Sequence, residues 1–556
     1  MSKPFFITTA IDYTNGAPHI GHAYEKVLAD VIARFERQKG EKVFFLTGVD
    51  QHGQKVQQSA EKAGVSPQEY VDGVTAKFRA LWEKLGVRCD AWAATTDALH
   101  KECVRANLRM LWDDKVPGTD RSRWIYKKTQ RGFYSVRQEQ FLTDKERGPD
   151  GEFGPEWQPV EEREEENFYF RLTAHPDLGF DPKQWLLDLI DRRSEELKPF
   201  VLPVFRVAEL RNAVEKLEGD LCISRPAARL QWGIPFPESF GEGFVTYVWF
   251  DALVNYITFA PGHDPHYSER SSTEKSPGLY FSDYWPALHV IGKDIMIPAH
   301  GVYWPIMLKA LGFSDEEMPT LLVHGWWNIR GKGGESEKMS KSLGNVVDPD
   351  VLADKYGAAA VRYYLMSDIA TGRDADFSEE RLVQRYNVDL ANGLGNLVNR
   401  TLNMTRKYRE GRPHPMEVLD GDFAQHLDSN SEEMLHFVTD MDQAQIQKGL
   451  EQMISVVNRA NALVDSSAPW KLAKDPEQSD RLDAVLGTLI QSAQLAATML
   501  LSVTPEAAAE ILRQLNLPPV VLSDKRPVTF TLPPDYCCGE PKPVFPRIEL
   551  PAPETN

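Results

Sequence analysis

Two short signatures constrain this chain more than any other feature: Pro18-His19-Ile20-Gly21-His22 near its start and Lys338-Met339-Ser340-Lys341-Ser342 beyond its middle. The first sets two imidazoles around a glycine, and the second sets two lysines among serines. Both are residue sets suited to phosphate. Their order and wide separation point to one ATP site assembled from two halves of a nucleotide-binding domain.

The flanks support that reading. Phe5 to Thr9 is a short apolar, β-branched run, and Thr14-Asn15-Gly16-Ala17-Pro18 is turn-like, so a strand leads into a loop. From Gly21 to Lys39 the residues Val27, Leu28, Val31, Ile32 and Phe35 recur at helical spacing, and Gly40 is placed to end the helix. Lys42 to Thr47 reads as the next, buried strand. In this βαβ opening His19 and His22 stand where the first strand hands over to the first helix. A helix N-terminus attracts phosphate through its unpaired N–H groups and dipole. Gly21 lets a nucleotide approach the backbone, and the imidazoles can donate to phosphate oxygens as charge builds. Around the second signature, Gly331, Gly333, Gly334 and Gly344 suggest a mobile loop that brings Lys338 and Lys341 over a triphosphate.

The chain has 556 residues, too many for one ordinary core, so two or three domains are expected. Its 63 basic and 81 acidic residues give a net charge of −18, which argues against general nucleic-acid affinity and requires any RNA partner to be met by local basic patches. The N-terminus has no secretory pattern. The most apolar long segment, Leu486 to Val503, contains Gln491, Ser492 and Gln494 and reads as a buried bundle helix. Five cysteines without a Cys-x-x-Cys fit a reducing compartment, here the cytoplasm, and no disulfide framework.

The pattern divides the chain. Residues 1–112 carry the first half of a Rossmann-like sheet. Residues 113–235 break the rhythm with aromatic stretches, a Gly/Pro turn region and the acidic run Glu161 to Glu166, and are expected to be a small insertion domain. Residues 236–345 restore the sheet, with Val245 to Trp249, Leu288 to Ile291 and Leu321 to His324 strand-like. Residues 346–515 read as a linker and helical bundle, and the proline-rich 516–556 as an irregular surface tail. The expected fold class is thus α/β: a parallel-sheet domain split by an insertion and followed by a helical domain.

With both signatures, the segments Ala10 to Gly16, Thr47 to Gly53, Ile223-Ser-Arg-Pro226, Tyr247 to Ala252, Ile291-Gly-Lys-Asp294, Trp304-Pro305 and Val323-His-Gly325 make the chain resemble class I aminoacyl-tRNA synthetases, and the methionyl-tRNA synthetase family over nearly all of its length. The resemblance implies ATP-dependent activation of L-methionine and its transfer to tRNA(Met). It implies His19, His22, Lys338 and Lys341 as catalytic, and Asn15, Gly21, Glu25, Gly292, Asp294, His324 and Met339 beside them as ATP-binding. Methionine would lie among Ile11, Tyr13, Trp249, Ala252, Leu253, Tyr256, Ile295 and His300, since a thioether suits an aromatic wall. Asp50 would hold the α-ammonium, with Arg225 pairing to Asp50 when the site closes. Asn396 and Arg400, four apart on one helix face, and Trp470, at the start of another helix, match anticodon contacts; Arg406, Lys407 and Arg409 would add phosphate contacts. ATP would bring Mg2+. Nothing after the bundle resembles an appended dimerising domain, so a monomer is expected, with no membrane partner.

Two departures from the family pattern stand out. The stretch Ile295 to His300 is one residue longer than the pattern. In Gly132-Phe-Tyr-Ser-Val-Arg-Gln-Glu139, Ser135 and Gln138 stand where many relatives have zinc-binding cysteines; neither is a zinc ligand, so no structural metal is expected. Two other readings bear on function. Synthetases for isoleucine, valine or leucine need a larger editing insertion. A non-catalytic RNA-binding relative would not be expected to keep both signatures intact.

Overall fold

The computed structural model describes residues 3–135, 140–142, 144–148, 150–194, 199–262, 284–330, 335–339, 346–414, 421–522 and 532–550. Its centre is a parallel sheet. β1 (Phe5–Thr9), β2 (Asp12–Tyr13), β3 (Val43–Asp50) and β4 (Ala91–Ala94) come from the first part of the chain. A second group follows: β5 (Ile125–Ser135), β6 (Gln140–Leu142), β7 (Val160–Phe170), β8 (Val201–Leu202), β9 (Leu221–Cys222), β10 (Ser224–Pro226) and β11 (Phe244–Thr246). β12 (Leu288–Gly292) and β13 (Thr320–His324) then return to the centre. The sheet runs β2-β3-β1-β12-β13-β8, with β4 also pairing β3. Every pairing in it is parallel. β8 lies inside segment 113–235 yet extends this sheet beside β13.

Alternation along these strands feeds two cores. Ile7, Phe45, Val49, Val290 and Leu322 face a core shared with helix α1 (Ile20–Gln38) and the helices of the C-terminal third. Phe6, Leu46, Ile291, Leu321 and Val323 face the opposite core, shared with helices Ala98–Asp113 and Val248–Thr258 and with the insertion. Both sheet faces are therefore covered, as a parallel sheet requires. α1 stops where glycine permits it: Gly40 takes φ +92 just past the C-cap.

The insertion is built on the long antiparallel pair β5–β7, flanked by β6 and β9. The acidic run Glu161 to Glu166 lies in strand β7, in register with Thr129 to Tyr134 of β5: Arg131 stands opposite Glu164, and Lys127 reaches Glu166 at 2.6 Å. Beyond β13 come β14 (Trp327–Arg330), β15 (Ser336–Lys338) and β16 (Ala375–Asp376), a small sheet of order β15-β14-β16. The rest is helical, including Asn396–Arg409, Gly421–Asp442, Ile446–Ser467, Ser479–Leu500 and Pro505–Leu515. Helix Ser479–Leu500 is buried over most of its length. Among the described residues no helix is long and apolar enough to cross a membrane.

Two expectations need correction. Val245 to Trp249 is not one strand: β11 ends at Thr246, and a helix runs from Val248 to Thr258, so Trp249 is helical. The region 516–556 is irregular but not merely superficial, because Tyr536, Cys538 and Phe545 are buried against the bundle.

Candidate active site

The first signature builds the start of α1. His19 is the N-cap: its Nδ1 accepts from the Gly21 N–H at 3.1 Å, and its own N–H donates to His22 Nδ1 at 3.1 Å. The rings lie 3.8 Å apart, and His22 sits edge-on to Phe78. A Cβ at position 21 would stand 3.0 Å from the His19 ring, so glycine is what lets the two imidazoles close on the helix start. Asn15 is exposed on the loop before them.

The residues flanking the second signature return to this place. Lys338 ends β15, opposite Asn328 of β14, and β14 begins just after His324 at the end of β13. Downstream, the Val347 carbonyl accepts from the Ile20 N–H at 3.2 Å, at the first turn of α1. The backbone on both sides of the signature is thus tied to the ATP-side elements. Met339 packs partly against the core. Lys341, Ser340, Ser342 and the glycines around them lie outside the described residues, as does the side chain of Lys338.

Between the signatures lies a buried ionic chain. His324 Nδ1 donates to the Gly325 carbonyl at 2.8 Å, and its Nε2 meets Glu25 Oε2 at 3.1 Å. Glu25 Oε1 accepts from Lys26 Nζ at 2.7 Å. Burial would raise the Glu25 pKa, but Lys26 and the His324 hydrogen bond hold it below the usual carboxylate value. Gly292 closes this side, with a Cβ there placed 2.7 Å from Asp294 Oδ1 and 3.6 Å from the His324 ring.

The aromatic pocket forms around helix Val248–Thr258. Tyr256 is 1 % exposed; its hydroxyl donates to His300 Nε2 at 2.7 Å, because His300 Nδ1–H is committed to the Ile295 carbonyl at 2.9 Å. Burial lowers the His300 pKa to about 4, so the ring is neutral near pH 7. Before His300 the chain kinks at Ile297, whose backbone is extended (φ −115°, ψ 127°), and turns helical again toward Trp304. Leu253 and Ala252 are buried on the same helix, while Trp249, Ile295, Ile11 and Tyr13 are half-buried. Gly53, at φ +116, brings its backbone against Tyr13: a Cβ would lie 2.7 Å from the hydroxyl.

Asp50 ends β3 beside Tyr13, its register partner in β2. It is 6 % exposed, and its Oδ1 has no hydrogen-bond partner. Burial, reinforced by the Asp251 carboxylate, raises its pKa well above the ordinary value. A buried carboxylate with an open oxygen is fitted to a cation. Arg225 does not meet it here. Its Nη1 donates to the Ser224 carbonyl at 2.8 Å and to Cys222 Sγ at 3.1 Å, and the guanidinium lies 4.0 Å over the Tyr247 ring.

Several buried groups at the site escaped sequence reading. Asp251 accepts from His52 Nδ1 at 2.7 Å and His100 Nε2 at 2.8 Å. Burial would raise its pKa, but His52 and the His100 hydrogen bond hold it at about 2. His289 stacks on Tyr256, bonds Thr8 at 2.7 Å and accepts from Trp304 Nε1 at 3.1 Å. The weak signal for these residues was polar and imidazole side chains inside otherwise apolar segments. Their partners are too remote in sequence to pair by inspection.

The helical third holds the remaining predicted residues. Asn396 opens helix Asn396–Arg409 and lines a cavity of about 370 Å³ with Asn392, Asn399 and Phe545. Arg400 pairs with Asp465 at 3.0 Å, in the helix that leads to Trp470, which is 41 % exposed. Arg409 is unsuited to phosphate: it is engaged by Asp483 at 2.7 Å and by Ser479. Arg406 lies 3.6 Å from Glu540 and Lys407 beside the Tyr408 ring. In the insertion, Ser135 is fully buried and donates to the Trp157 carbonyl at 2.6 Å, an arrangement that does not fit a metal; Gln138 lies outside the described residues. Among the described residues no cluster of His, Cys, Asp and Glu could hold an ion.

The family model described as tRNA synthetases class I (M) matches residues 5–151 and 157–402. The chain is 39 % identical to the methionine–tRNA ligase of Deinococcus radiodurans over 529 residues, spanning 93 % of this chain and 70 % of the relative. To that of Thermosynechococcus vestitus it is 35 % identical over 576 residues, spanning 99 % of each. Its structure resembles Mycobacterium tuberculosis methionyl-tRNA synthetase in complex with methionyl-adenylate, with TM-score 0.84 and 35 % identity over 98 % of this chain and 100 % of that one. The family-model match from residue 5 to 402, with likeness of 35–39 % to methionine–tRNA ligases over nearly the whole chain, places this chain in the methionyl branch of the class I aminoacyl-tRNA synthetases.

Proposed function

We propose that this chain is a methionine–tRNA ligase working in two steps. The methionine carboxylate attacks the α-phosphate of ATP, pyrophosphate leaves, and methionyl-adenylate forms. The terminal ribose hydroxyl of tRNA(Met) then attacks the activated carbonyl, and AMP leaves. The observation that carries this reading is the likeness over 98–99 % of the chain to methionine–tRNA ligases and to a methionyl-tRNA synthetase in complex with methionyl-adenylate, and the bond between Ile20 and Val347, which ties the chain after the second signature to the first turn of α1, supports it. Neither step needs a side-chain nucleophile, so catalysis rests on positioning and charge stabilisation by His19, His22, Lys338 and Lys341. The open oxygen of Asp50 supports its role toward the α-ammonium. The Tyr256–His300 pair, with Trp249, supports a wall for the thioether. Mg2+ arrives with ATP and neutralises its phosphates.

The same reading assigns residues 1–112 and 236–345 to the two halves of the catalytic domain and 113–235 to a connective insertion. It assigns 346–515 to anticodon binding through Asn396, Arg400 and Trp470, and 516–556 to a tail. The enzyme works as a monomer in the cytoplasm. The test is amino-acid-dependent ATP–pyrophosphate exchange with all twenty amino acids: methionine alone should support rapid exchange, and exchange driven best by another amino acid overturns the assignment. The burial of Ser135 against the Trp157 carbonyl supports folding and activation without zinc. Elemental analysis should return far less than one zinc per chain.

A further inference from the structure

Lys26 is the most deeply buried cation near the site: its side chain has no solvent exposure. Its ammonium donates to the Ala10 carbonyl at 2.8 Å, to Asp12 Oδ1 at 2.7 Å and to Glu25 Oε1 at 2.7 Å. All three N–H donors are therefore used. The acceptors fall on two sides. Ala10 and Asp12 bracket Ile11 and lead into Tyr13, on the amino-acid side, and β2 then lies along β3 with Tyr13 opposite Asp50. The Thr14 N–H and hydroxyl both donate to the Asp50 carbonyl at 2.9 Å, locking that segment to the ammonium-binding end of β3. Glu25 lies on the nucleotide side, with its other oxygen against His324.

Stability does not explain the arrangement. Desolvating an ammonium and two carboxylates is costly, and well-packed apolar side chains in place of such a cluster are often as stable or more so. The cluster is also lopsided. Glu25 is shared between Lys26 and His324, whereas Asp12 has Lys26 alone and its Oδ2 has no hydrogen-bond partner.

Resting on the ligase reading above, we propose that Lys26 is a positioning residue that couples the two subsites, so that filling the amino-acid side tightens the nucleotide side and the reverse. Movement of β2 on methionine binding pulls on Asp12 and Ala10. The shared ammonium passes that movement to Glu25, and thus to His324. The device has a pH signature. The ionisable groups facing Asp12 are Lys26 and Glu25 of α1, with the indole of Trp82 from helix Pro67–Lys84. Burial, with the Glu25 charge, outweighs Lys26 and places the Asp12 pKa at about 7. Above that pH Asp12 is ionised and holds Lys26; below it the ion pair, and with it the coupling, weakens.

The experiment uses the full chain. Methionine affinity is measured by titration calorimetry with and without an ATP analogue whose α–β bridge is methylene, at pH 6 to 8.5. Wild type should show a ratio of affinities within the usual range for coupled sites, about 5–150-fold, falling toward acid. Asp12→Asn should bring the ratio close to one and flatten its pH dependence, with each ligand alone bound nearly as in wild type. Because Lys26→Met leaves the buried Asp12 carboxylate unpaired and is at risk of not folding, the second variant is Asp12→Asn/Lys26→Gln, which keeps the net charge of the cluster. It should behave as the single variant does. Absence of coupling in wild type, a folded Asp12→Asn enzyme with wild-type ratio and pH dependence, or equal weakening of both ligands at an unchanged ratio would each overturn the proposal. Methionine-dependent pyrophosphate exchange separates the two readings. If exchange persists while coupling fails, only the role of Lys26 is lost; if wild type shows no exchange, the ligase reading itself falls.

Discussion

His300 is held neutral by its surroundings, and this has a consequence for the molecule's response to acid. Its folded pKa, lowered by burial to about 4, lies below the unfolded value of about 6.5. Between these limits the unfolded chain binds a proton that the folded chain refuses, so stability falls as pH drops from about 6.5 to about 4. At full burial one such histidine is worth up to about 3 kcal/mol, and His289, also lowered by burial, acts in the same direction. Thermal melts across this range should show a falling midpoint. His300→Gln, which cannot titrate, should flatten part of the slope; an unchanged slope would mean that His300 is not a principal source. At this scale the sequence was legible wherever one residue's chemistry is self-contained. His19 and His22 could be placed at a helix start because strand, loop and helix follow one another directly. Asp12, Lys26 and Glu25 could not be linked, because a charged residue on an amphipathic helix ordinarily faces water, and only the tertiary fold turns Lys26 inward.

Among the elements, α1 is the hinge of the architecture. It carries the first signature at its N-terminus, and its Asp30 meets the guanidinium of Arg362 at 2.7 Å. That guanidinium also donates to the carbonyls of Leu85, Ser502 and Val503. One buried cation thus joins α1 and the end of helix Pro67–Lys84 to helix Ala358–Ser367 and to the chain just past helix Ser479–Leu500. Arg362→Met should destabilise the protein by roughly 3 kcal/mol or more, since several buried acceptors lose their donor. Chemical denaturation checks this, and exchange activity per folded molecule should be largely kept. The strands of the central sheet were readable because apolar, β-branched runs of strand length are bounded by turns. Trp249 was misplaced for the same physical reason: over five residues an apolar run has no distinguishable period, and the change from strand to helix falls within it. β7 was hidden because its exposed, glutamate-rich stretch reads as a solvated charge run until β5 lies opposite, with Arg131 across from Glu164 and Lys127 paired to Glu166.

At the scale of the whole molecule, the proposed function assigns activation and RNA reading to different parts of the chain, and Trp470 tests that division. Trp470→Ala should leave methionine activation intact and lower aminoacylation efficiency roughly ten- to hundredfold, the loss of one base stack of about 1–3 kcal/mol. With a net charge of −18, general attraction for RNA cannot readily replace the lost contact. Normal charging by a folded mutant would reduce Trp470 to a bundle aromatic, and a parallel fall in exchange would mark it as structural. The helical third was legible in outline through its three–four spacing, whereas the involvement of residues 532–550 in its core was not, because an irregular segment has no period to read.

That late segment is gripped by a side chain. Asn387 donates to the Ile548 carbonyl at 2.7 Å and accepts from the Ile548 N–H at 3.1 Å across a separation of 161 residues, while Phe545 seats against Tyr386. The bundle helices pack largely on near neighbours in the chain and can assemble early, but this clasp joins partners far apart in order of synthesis. On the ribosome, the seat for Phe545 therefore stays open after the helices around it have emerged. Until the clasp arrives, Tyr386 and the helix turn at Gly395 lack the ring that covers them in the finished fold.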